Sequence, residues 1–350
     1  MHDLESLGFS PDFAAELERT EYEGLIPARV AVEHHGFYSL LAAEGPLGGI
    51  PSGRLKFDGV EPAVGDWVTA ERVPGERKAV IHAVLPRRTK FSRKEPWKRT
   101  AEQVIAANVD LVFLVQAFGH DFNLRRLERY LTAAWESGAQ PAIVLTKRDL
   151  SDDPEAFVAE AETVAYGVPV HAVSNVNGEG LDALRQYLLP GRTIAVLGSS
   201  GVGKSTLINR LLGEQALPTA EIRGDGRGRH TTTRRELVLI PGGALLLDTP
   251  GLRELQLWAG EEALEGSFAD VTAIAAECRF SDCSHESEPG CAIRAALDDG
   301  SLPSERWESH RKLQRELRAL AVRQDARLRA EEKAKWRRFE RERRQRGWRS

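Results

Sequence analysis

The sequence predicts a multidomain protein with a small N-terminal β-barrel, a central α/β domain and a mainly helical C-terminal domain that binds a metal ion. Three observations predict this arrangement. The first quarter of the chain contains several short β-like segments. In the middle, buried strands alternate with helical segments. All three cysteines lie in one short segment near the end. With 350 residues, 41% of them hydrophobic, the chain can bury the cores of two or three domains.

The first quarter of the chain predicts a helix followed by a barrel. Ser10 is placed to cap this helix, and Pro11 fits its first position. Four β-like segments follow, separated by turns that contain Gly and Pro, such as residues 44–49. The segments are residues 29–33, 37–42, 65–71 and 78–85. About five strands in so short a stretch favour an OB-fold barrel, and an SH3-like barrel fits almost as well.

A basic segment at residues 87–99 follows the barrel. It holds seven Lys and Arg, one acid, and the aromatic residues Phe91 and Trp97. Such a mixture can contact phosphates through the cations while the rings stack on unpaired bases. The alternative interpretation is a solvated linker.

The middle of the chain predicts a doubly wound α/β domain. An amphipathic helix at about residues 124–136 lies between two buried strands, and further strands continue the series. The predicted strands are residues 109–116, 142–145, 168–173, 193–197, 237–240 and 244–247.

A phosphate-binding loop directly follows one of these strands. Residues 198–205 read Gly-Ser-Ser-Gly-Val-Gly-Lys-Ser and fit the pattern G-x-x-x-x-G-K-S between a strand and a helix. The glycines let backbone amides turn toward phosphate oxygens, Lys204 neutralises the β- and γ-phosphates, and Ser205 supplies a hydroxyl to Mg²⁺. Lys204 and Ser205 are therefore predicted to be catalytic. The predicted nucleotide-binding residues of the loop are Gly198, Ser199, Ser200, Gly201, Val202, Gly203, Lys204, Ser205 and Thr206.

A second pattern, Asp248-Thr-Pro-Gly251, ends a predicted strand 44 residues after Lys204. The carboxylate of Asp248 is suited to hold the Mg²⁺ shell, and the amide of Gly251 is suited to contact the γ-phosphate. In isolation the pattern is equally typical of a turn. Its position behind a predicted β-hairpin favours the interpretation that both residues are catalytic.

The segment Thr146-Lys147-Arg148-Asp149 also ends a buried strand. A carboxylate accepts both N–H donors on one edge of guanine, which adenine does not present, and the stem of Lys147 can lie along the base. Ser174 follows the next predicted strand and is placed to line the same pocket. In isolation the motif is also compatible with an exposed polar turn. Together with the phosphate loop it predicts that these five residues bind guanine.

The order of these motifs is unusual. The base-reading motif precedes the phosphate loop, whereas in an ordinary G protein the phosphate loop comes first. The sequence therefore predicts a circularly permuted P-loop GTPase that uses GTP and GDP with Mg²⁺.

A metal-binding pattern follows at Cys278, Cys283, His285 and Cys291. Three thiolates and one imidazole make a complete tetrahedral set for one structural Zn²⁺, with no open position for catalysis. Free buried cysteines beside an incidental histidine are the alternative. Because every cysteine of the chain lies in this segment, the zinc interpretation is favoured over that alternative and over disulfides.

Charge is distributed unevenly. The net charge is −4, yet residues 311–350 hold 16 Lys and Arg against 6 Asp and Glu, a local charge of +10. This tail is compatible with a basic helix that binds RNA. A solvated helix end or a disordered extension is the alternative. No stretch of about 18 apolar residues and no signal peptide is present, so we expect a cytoplasmic protein without membrane association.

The barrel, the permuted motifs and the C-x4-C-x-H-x5-C spacing resemble the small-ribosomal-subunit-dependent GTPase A family over about residues 25–310. The resemblance implies a GTPase that acts late in maturation of the small ribosomal subunit as an assembly checkpoint. It also implies stimulation by that subunit and binding of ribosomal RNA through the barrel and zinc domains. We expect a monomer.

The chain departs from common G-protein patterns at three positions. Thr146 stands where Asn is usual, so it lacks an amide, and we expect lower guanine affinity. Asn175 stands where Ala often follows the Ser, which leaves the base-pocket contacts open. Leu252 replaces the water-positioning Gln of Ras-like proteins, and a hydrocarbon cannot orient water, so intrinsic hydrolysis should be slow. His230, just before a run of threonines, is the candidate internal contributor to catalysis.

The predicted domain boundaries follow from these segments. They are an N-terminal helical extension at 1–24, the OB-fold barrel at 25–90, a basic linker at 91–105, the permuted GTPase domain at 106–258, the zinc-binding domain at 259–310 and a basic helical tail at 311–350. Two other functions stay open. One is a nucleotide-regulated RNA-binding scaffold with incidental turnover; the other is a metabolic ATPase or kinase, against which Asp149 argues.

Overall fold

Two units make up the chain in the computed structural model. The first comprises Met1–Ser92 and Val104–Leu255, and the second comprises Arg93–Gln103 and Gln256–Ser350. The structure describes residues 3–19, 24–34, 36–94, 102–212, 236–248, 264 and 267–324. Within these ranges, no helix combines the length and the apolar character needed to cross a membrane.

The predicted N-terminal barrel is confirmed. Five strands pair in the order β1-β2-β3-β5-β4, and β4 pairs back onto β1, which closes the barrel. They are β1 (Ile26–His34), β2 (Phe37–Ala42), β3 (Gly45–Pro51), β4 (Trp67–Arg72) and β5 (Lys78–Val84). Helix α1 (Pro11–Glu18) precedes the barrel, with Ser10 at its N-cap as predicted, and α2 (Gly53–Phe57) lies between β3 and β4.

One barrel strand occupies a segment predicted to be a turn. The prediction for residues 44–49 is wrong from Gly45 onward, because β3 begins there and pairs with β2 and β5. A Cβ atom at Gly49 would lie 2.9 Å from the side chain of Leu40. Glycine is therefore needed for close packing against the neighbouring strand, which local turn propensity cannot reveal.

The basic segment after the barrel is partly a β-strand, which neither the RNA-stacking interpretation nor the linker interpretation predicts. Part of it forms β6 (Lys90–Lys94), which pairs with β7 (Glu102–Ala107) in a two-stranded sheet. Phe91 is 1% exposed and belongs to the same apolar cluster as Trp67. The hypothesis that its ring stacks on bases is therefore wrong, while Trp97 lies outside the described residues.

The predicted doubly wound α/β architecture is confirmed. Six strands pair in the order β10-β9-β8-β11-β13-β12, all parallel except β12, which is antiparallel to β13. They are β8 (Leu111–Ala117), β9 (Gln140–Thr146), β10 (Val170–Ala172), β11 (Thr193–Gly198), β12 (Glu236–Leu239) and β13 (Leu245–Asp248). The helices are α3 (Leu124–Ser137), α4 (Pro154–Glu162), α5 (Leu181–Arg185) and α6 (Lys204–Leu212).

The central strand β8 shows why both faces of this sheet are covered. All seven of its residues are buried. Val112 and Leu114 belong to one apolar cluster, whereas Phe113 and Val115 belong to another. Because successive side chains of a strand point to opposite faces, a continuous apolar run of this kind requires packing on both sides.

The barrel and the α/β sheet are joined. Strand β1 pairs with β12 through Val32 and Glu236, so the two sheets are hydrogen-bonded neighbours. The buried guanidinium of Arg29, also on β1, adds four hydrogen bonds to this junction. Its acceptors are Leu7 O at 2.5 Å, Thr193 Oγ1 at 2.7 Å, Asn108 O at 3.0 Å and Gly65 O at 3.3 Å.

Arg29 remains a cation in this buried position. Burial lowers the pKa of its guanidinium to about 10, and the nearby carboxylate of Asp110 opposes that shift. The group is therefore charged at neutral pH, and its charge is offset by carbonyl and carboxylate oxygens. Arg29 binds the N-terminal segment, the barrel and the α/β part together.

The second unit is mainly helical, as predicted. It contains α7 (Ala269–Ala276), α8 (Ala292–Asp298) and α9 (Ser304–Gln324). Arg306 of α9 forms a bidentate ion pair with Asp270 of α7 at 2.7 and 3.0 Å, and its guanidinium lies 4.2 Å from the ring centroid of Phe268. Leu313 and Leu317 are buried, whereas residues 325–350 of the basic tail lie outside the described residues.

Candidate functional site

The phosphate loop lies at the carboxyl end of β11. Gly198 ends that strand, and a Cβ atom there would lie 2.3 Å from the carbonyl oxygen of Val115 on β8. Gly201 and Gly203 have φ angles of +82° and +93°, a region that favours glycine. The chain then enters α6 at Lys204. Strand, glycine turns and helix follow one another as the motif predicts, which aims the helix N-terminus at the loop.

The side chain of Lys204 lies against this loop. Its Nζ donates to the carbonyl oxygens of Gly198 at 2.7 Å and Ser199 at 2.5 Å. Ser205 and Thr206, in the first turn of α6, are exposed, whereas Val202 is buried. The loop thus combines a positioned cation with accessible hydroxyl groups, which suits a phosphate ester and its metal ion.

Asp121 is a loop contact that the sequence analysis missed. It follows β8, and its carboxylate accepts from Ser199 Oγ at 3.0 and 3.2 Å and pairs with Arg126 at 3.0 Å. The topology offered a signal, because β8 and β11 are parallel neighbours whose carboxyl ends lie at the same edge. Asp121 therefore holds the first serine of the phosphate loop in place.

The base-reading motif meets the phosphate loop at this same edge of the sheet. Thr146 ends β9 and is fully buried, and its hydroxyl donates to Val202 O at 2.5 Å. Ser174 lies just after β10, and its hydroxyl donates to Asp149 Oδ1 at 2.5 Å. The structure thus brings together residues that are far apart in sequence, and Ser174 orients the carboxylate of Asp149.

Two further residues of the motif are Lys147 and Arg148. Lys147 has a φ of +64°, a left-handed conformation that is uncommon for a residue with a side chain. Arg148 forms ion pairs with Glu155 at 3.1 Å and Glu179 at 3.3 Å. Its guanidinium is therefore held by acidic groups of the surrounding surface, while its predicted role in nucleotide binding stays a prediction.

The remaining predicted catalytic residues are only partly described. Strand β13 ends at Asp248 and runs parallel to β11, so its carboxyl end lies at the edge that carries the phosphate loop. His230, Gly251 and the threonine run at 231–233 lie outside the described residues.

The four predicted metal ligands lie together in the second unit. The ligand atoms of Cys278, Cys283, His285 and Cys291 all lie within 4.8 Å of one another. His285 Nδ1 lies 3.6 Å from Cys278 Sγ and 3.5 Å from Cys291 Sγ. A tetrahedral Zn²⁺ with bonds of about 2.0–2.3 Å requires ligand atoms roughly 3.3–3.8 Å apart, and both His285 distances lie in this range. The chemistry of three thiolates and one imidazole is compatible with zinc.

A carboxylate braces the turn that carries two of these ligands. Glu288 Oε1 accepts from the backbone N–H of Ser284 at 3.0 Å and from its hydroxyl. Glu288 Oε2 accepts from the N–H groups of Glu286 at 3.1 Å and Ser287 at 3.0 Å. The hydrogen bond from the Ser284 hydroxyl and those from the backbone lower the pKa of Glu288 to about 2. The carboxylate therefore stays ionised and fixes the backbone next to His285.

Comparison with curated proteins places these features in one family. Residues 84–258 match the family model of the RsgA GTPase. A small ribosomal subunit biogenesis GTPase RsgA from Opitutus terrae is 49% identical, over 96% of this chain and 95% of the relative. Its counterpart from Streptomyces coelicolor is 45% identical, over 96% of this chain and 92% of the relative.

Solved structures show the same fold. YjeQ from Thermotoga maritima matches with a TM-score of 0.64 and 27% identity, over 84% of this chain and 98% of that chain. YloQ, described as a circularly permuted GTPase, matches with a TM-score of 0.63 and 23% identity, over 86% of this chain and 98% of that chain. The permuted order predicted from the motifs is therefore confirmed as a property of the fold, and the chain belongs to the RsgA GTPase family.

Proposed function

We propose that this protein hydrolyses GTP to GDP and phosphate during late biogenesis of the small ribosomal subunit, where it acts as a checkpoint that the subunit itself stimulates. The observation that carries the proposal is the meeting of the base-reading motif and the phosphate loop at one sheet edge, linked by the bond from Thr146 to Val202 O. Relatives named as small ribosomal subunit biogenesis GTPases support the cellular role. We also propose that the protein acts in the cytoplasm and as a monomer.

Different residues at the nucleotide site bind the base, the phosphates and the metal ion. Asp149 accepts the two N–H donors of guanine, and Lys147 lies along the base. Lys204 and the amides of the phosphate loop neutralise and position the phosphates, and Ser205 with Asp248 would hold Mg²⁺. A bound Mg²⁺ would offset the charge that develops on the phosphate oxygens during hydrolysis.

Three residues outside the described ranges complete the proposed chemistry. The amide of Gly251 contacts the γ-phosphate, and Leu252 leaves the attacking water without a polar partner. His230 supplies part of the missing alignment, and the ribosomal subunit supplies the remainder. Intrinsic hydrolysis is then slow, and alignment by a partner accelerates it by up to about 10³- to 10⁵-fold.

The basic segments and the family support a proposal of contact with RNA. We propose that the barrel, the zinc-binding part and the basic tail together bind ribosomal RNA. The +10 charge of residues 311–350 suits phosphate contacts, which make binding dependent on salt.

The proposal is tested by measuring hydrolysis of GTP and ATP by the purified protein, with and without small ribosomal subunits. We expect GTP-selective turnover that rises steeply with the subunits. RNA binding with unstimulated turnover would favour the scaffold alternative, and equal competition by ATP would favour a metabolic ATPase or kinase. Variants of His230 and of neighbouring threonines, assayed with subunits, test the catalytic assignment: full stimulated turnover by His230→Ala would exclude it.

The metal site yields a separate prediction. Glu288→Gln should weaken zinc binding by about 10- to 100-fold, because Gln has only one acceptor oxygen and its NH₂ group would face either the N–H of Ser284 or those of Glu286 and Ser287. Competition with a chromogenic chelator measures this affinity. Glu286→Gln is the matched control, since the side chain of Glu286 is exposed and pairs with Arg311 at 3.4 Å. Equal zinc affinity in both variants would contradict the bracing role of Glu288.

A further inference from the structure

The side chain of Asn175 contacts the phosphate loop directly. This residue follows Ser174 and is 8% exposed. Its Nδ2 donates to the carbonyl oxygen of Gly203 at 3.1 Å. The same carbonyl accepts from the N–H of Leu207 at 2.8 Å, in the first turn of α6. The amide of Asn175 thus joins the loop beside the base to the point where the phosphate loop becomes a helix.

Gly203 permits this contact because it has no side chain. A Cβ atom at Gly203 would lie 3.0 Å from Asn175 Nδ2 and 3.9 Å from Thr146 Oγ1, and the φ angle of Gly203 is +93°. A side chain at this position would press on the amide and strain the backbone. The close approach therefore depends on both residues.

A second contact ties the same loop to α6 near the other end of that helix. Arg210 Nε donates to the carbonyl oxygen of Asn175 at 2.8 Å, and its Nη2 donates to that of Val176 at 2.8 Å. The segment beside the base is therefore held along the phosphate-loop helix by the amide of Asn175 and the guanidinium of Arg210. This fixes the distance between the two halves of the nucleotide site.

Thr146 alone supplies only part of this connection. Its hydroxyl has one proton, which lies between Val202 O at 2.5 Å and Gln116 O at 3.2 Å, so no second proton is left for the carbonyl of Gly203. Asn175 supplies that bond. Ser174, directly before it, donates to Asp149, so the position of the phosphate loop is transmitted to the base-reading carboxylate.

We infer that Asn175 is a positioning residue for guanine-nucleotide binding, which supplies the amide bond to the phosphate loop that Thr146 cannot make. The inference rests on the proposed GTPase function. Thr146 and Asn175 act as a pair, so that the loss of an amide at one position is offset by its gain at the other.

The experiment compares nucleotide affinities of matched variants of the full chain with fluorescent GDP and a non-hydrolysable GTP analogue. Asn175→Ala should weaken both by about tenfold, the size of one buried hydrogen bond, while kcat at saturating GTP stays within about twofold. Asn177→Ala is the control, because the amide oxygen of Asn177 accepts from Glu179 N within the loop. Binding by Asn175→Ala within twofold of wild type, or an equal loss in the control, would overturn the inference.

A second substitution distinguishes positioning from general structural support. Thr146→Asn in the Asn175→Ala background restores an amide near Gly203 and should recover most of the lost affinity. Failure to recover would refute the pairing of the two positions. If Asn175→Ala does not fold, Asn175→Asp keeps the size but removes the donor, and a loss of at least tenfold is expected because its carboxylate would also repel the carbonyl oxygen of Gly203. Wild-type protein that binds GDP no better than ADP would instead refute the proposed function, and with it the guanine-specific role of Asn175.

Discussion

Asp149→Asn should lower the affinity for GDP and GTP by about 10²- to 10³-fold. In the proposed function the carboxylate accepts two N–H groups of guanine, and each hydrogen bond to a charged group contributes about 1.5–3 kcal/mol. Asparagine retains one acceptor, and its NH₂ group faces a donor of the base. Ser174 can still donate to the remaining oxygen, so the pocket itself should persist.

The same variant should gain affinity for xanthine nucleotides. Xanthine carries a carbonyl where guanine carries its exocyclic amine, and this carbonyl accepts from the new NH₂ group. Fluorescent-nucleotide titration measures both affinities, with Asp152→Asn, an exposed carboxylate of the same loop, as the control. Unchanged GDP affinity in Asp149→Asn would show that another residue reads the base.

Arg29→Met should destabilise the first unit by about 3–5 kcal/mol. Methionine fills much of the space of the arginine stem, but the carbonyl oxygens of Leu7 and Asn108 and the hydroxyl of Thr193 lose their buried donor. Removing one side of a buried charged network costs more than removing a neutral contact, because its partners stay desolvated.

Urea denaturation followed by circular dichroism measures this loss. Arg19→Ala is the control, since Arg19 is 73% exposed, pairs with Glu16, and should change the free energy of unfolding by less than about 0.5 kcal/mol. If Arg29→Met unfolds at the wild-type urea concentration, the N-terminal segment, the barrel and the α/β part do not depend on this guanidinium.

Structural motifs formed by residues close together in the chain were predictable from the sequence. The phosphate loop, the base-reading motif and the clustered cysteines each place their chemistry within a few positions, so their residue types and spacing were sufficient. The buried strands were equally clear, because β8 reads as an unbroken apolar run. Helix α1 was recognised from its Ser-Pro start, although Ser10 makes no side-chain hydrogen bond to the helix.

The features that were missed depend on contacts between distant residues. Gly49 serves in a strand because Leu40 packs against it, and Phe91 is buried because its strand lies over the core. Asp121 looks like an ordinary loop residue until the fold places it beside the phosphate loop. Asn175 was noted as a departure from the common pattern, but only the structure shows its contact with Gly203. Sequence reasoning located the motifs themselves, whereas the contacts that hold the motifs in place became visible only in the structure.

The pairing of β1 with β12 has a consequence for the integrity of the sheet. In the α/β order β10-β9-β8-β11-β13-β12, the last strand would otherwise present unpaired N–H and C=O groups at an open edge. Exposed edges of this kind recruit strands from other chains and promote aggregation. Through the pair of Val32 and Glu236 the barrel occupies this edge where β12 begins, so it limits access of other strands to the GTPase sheet in addition to any contact it makes with RNA.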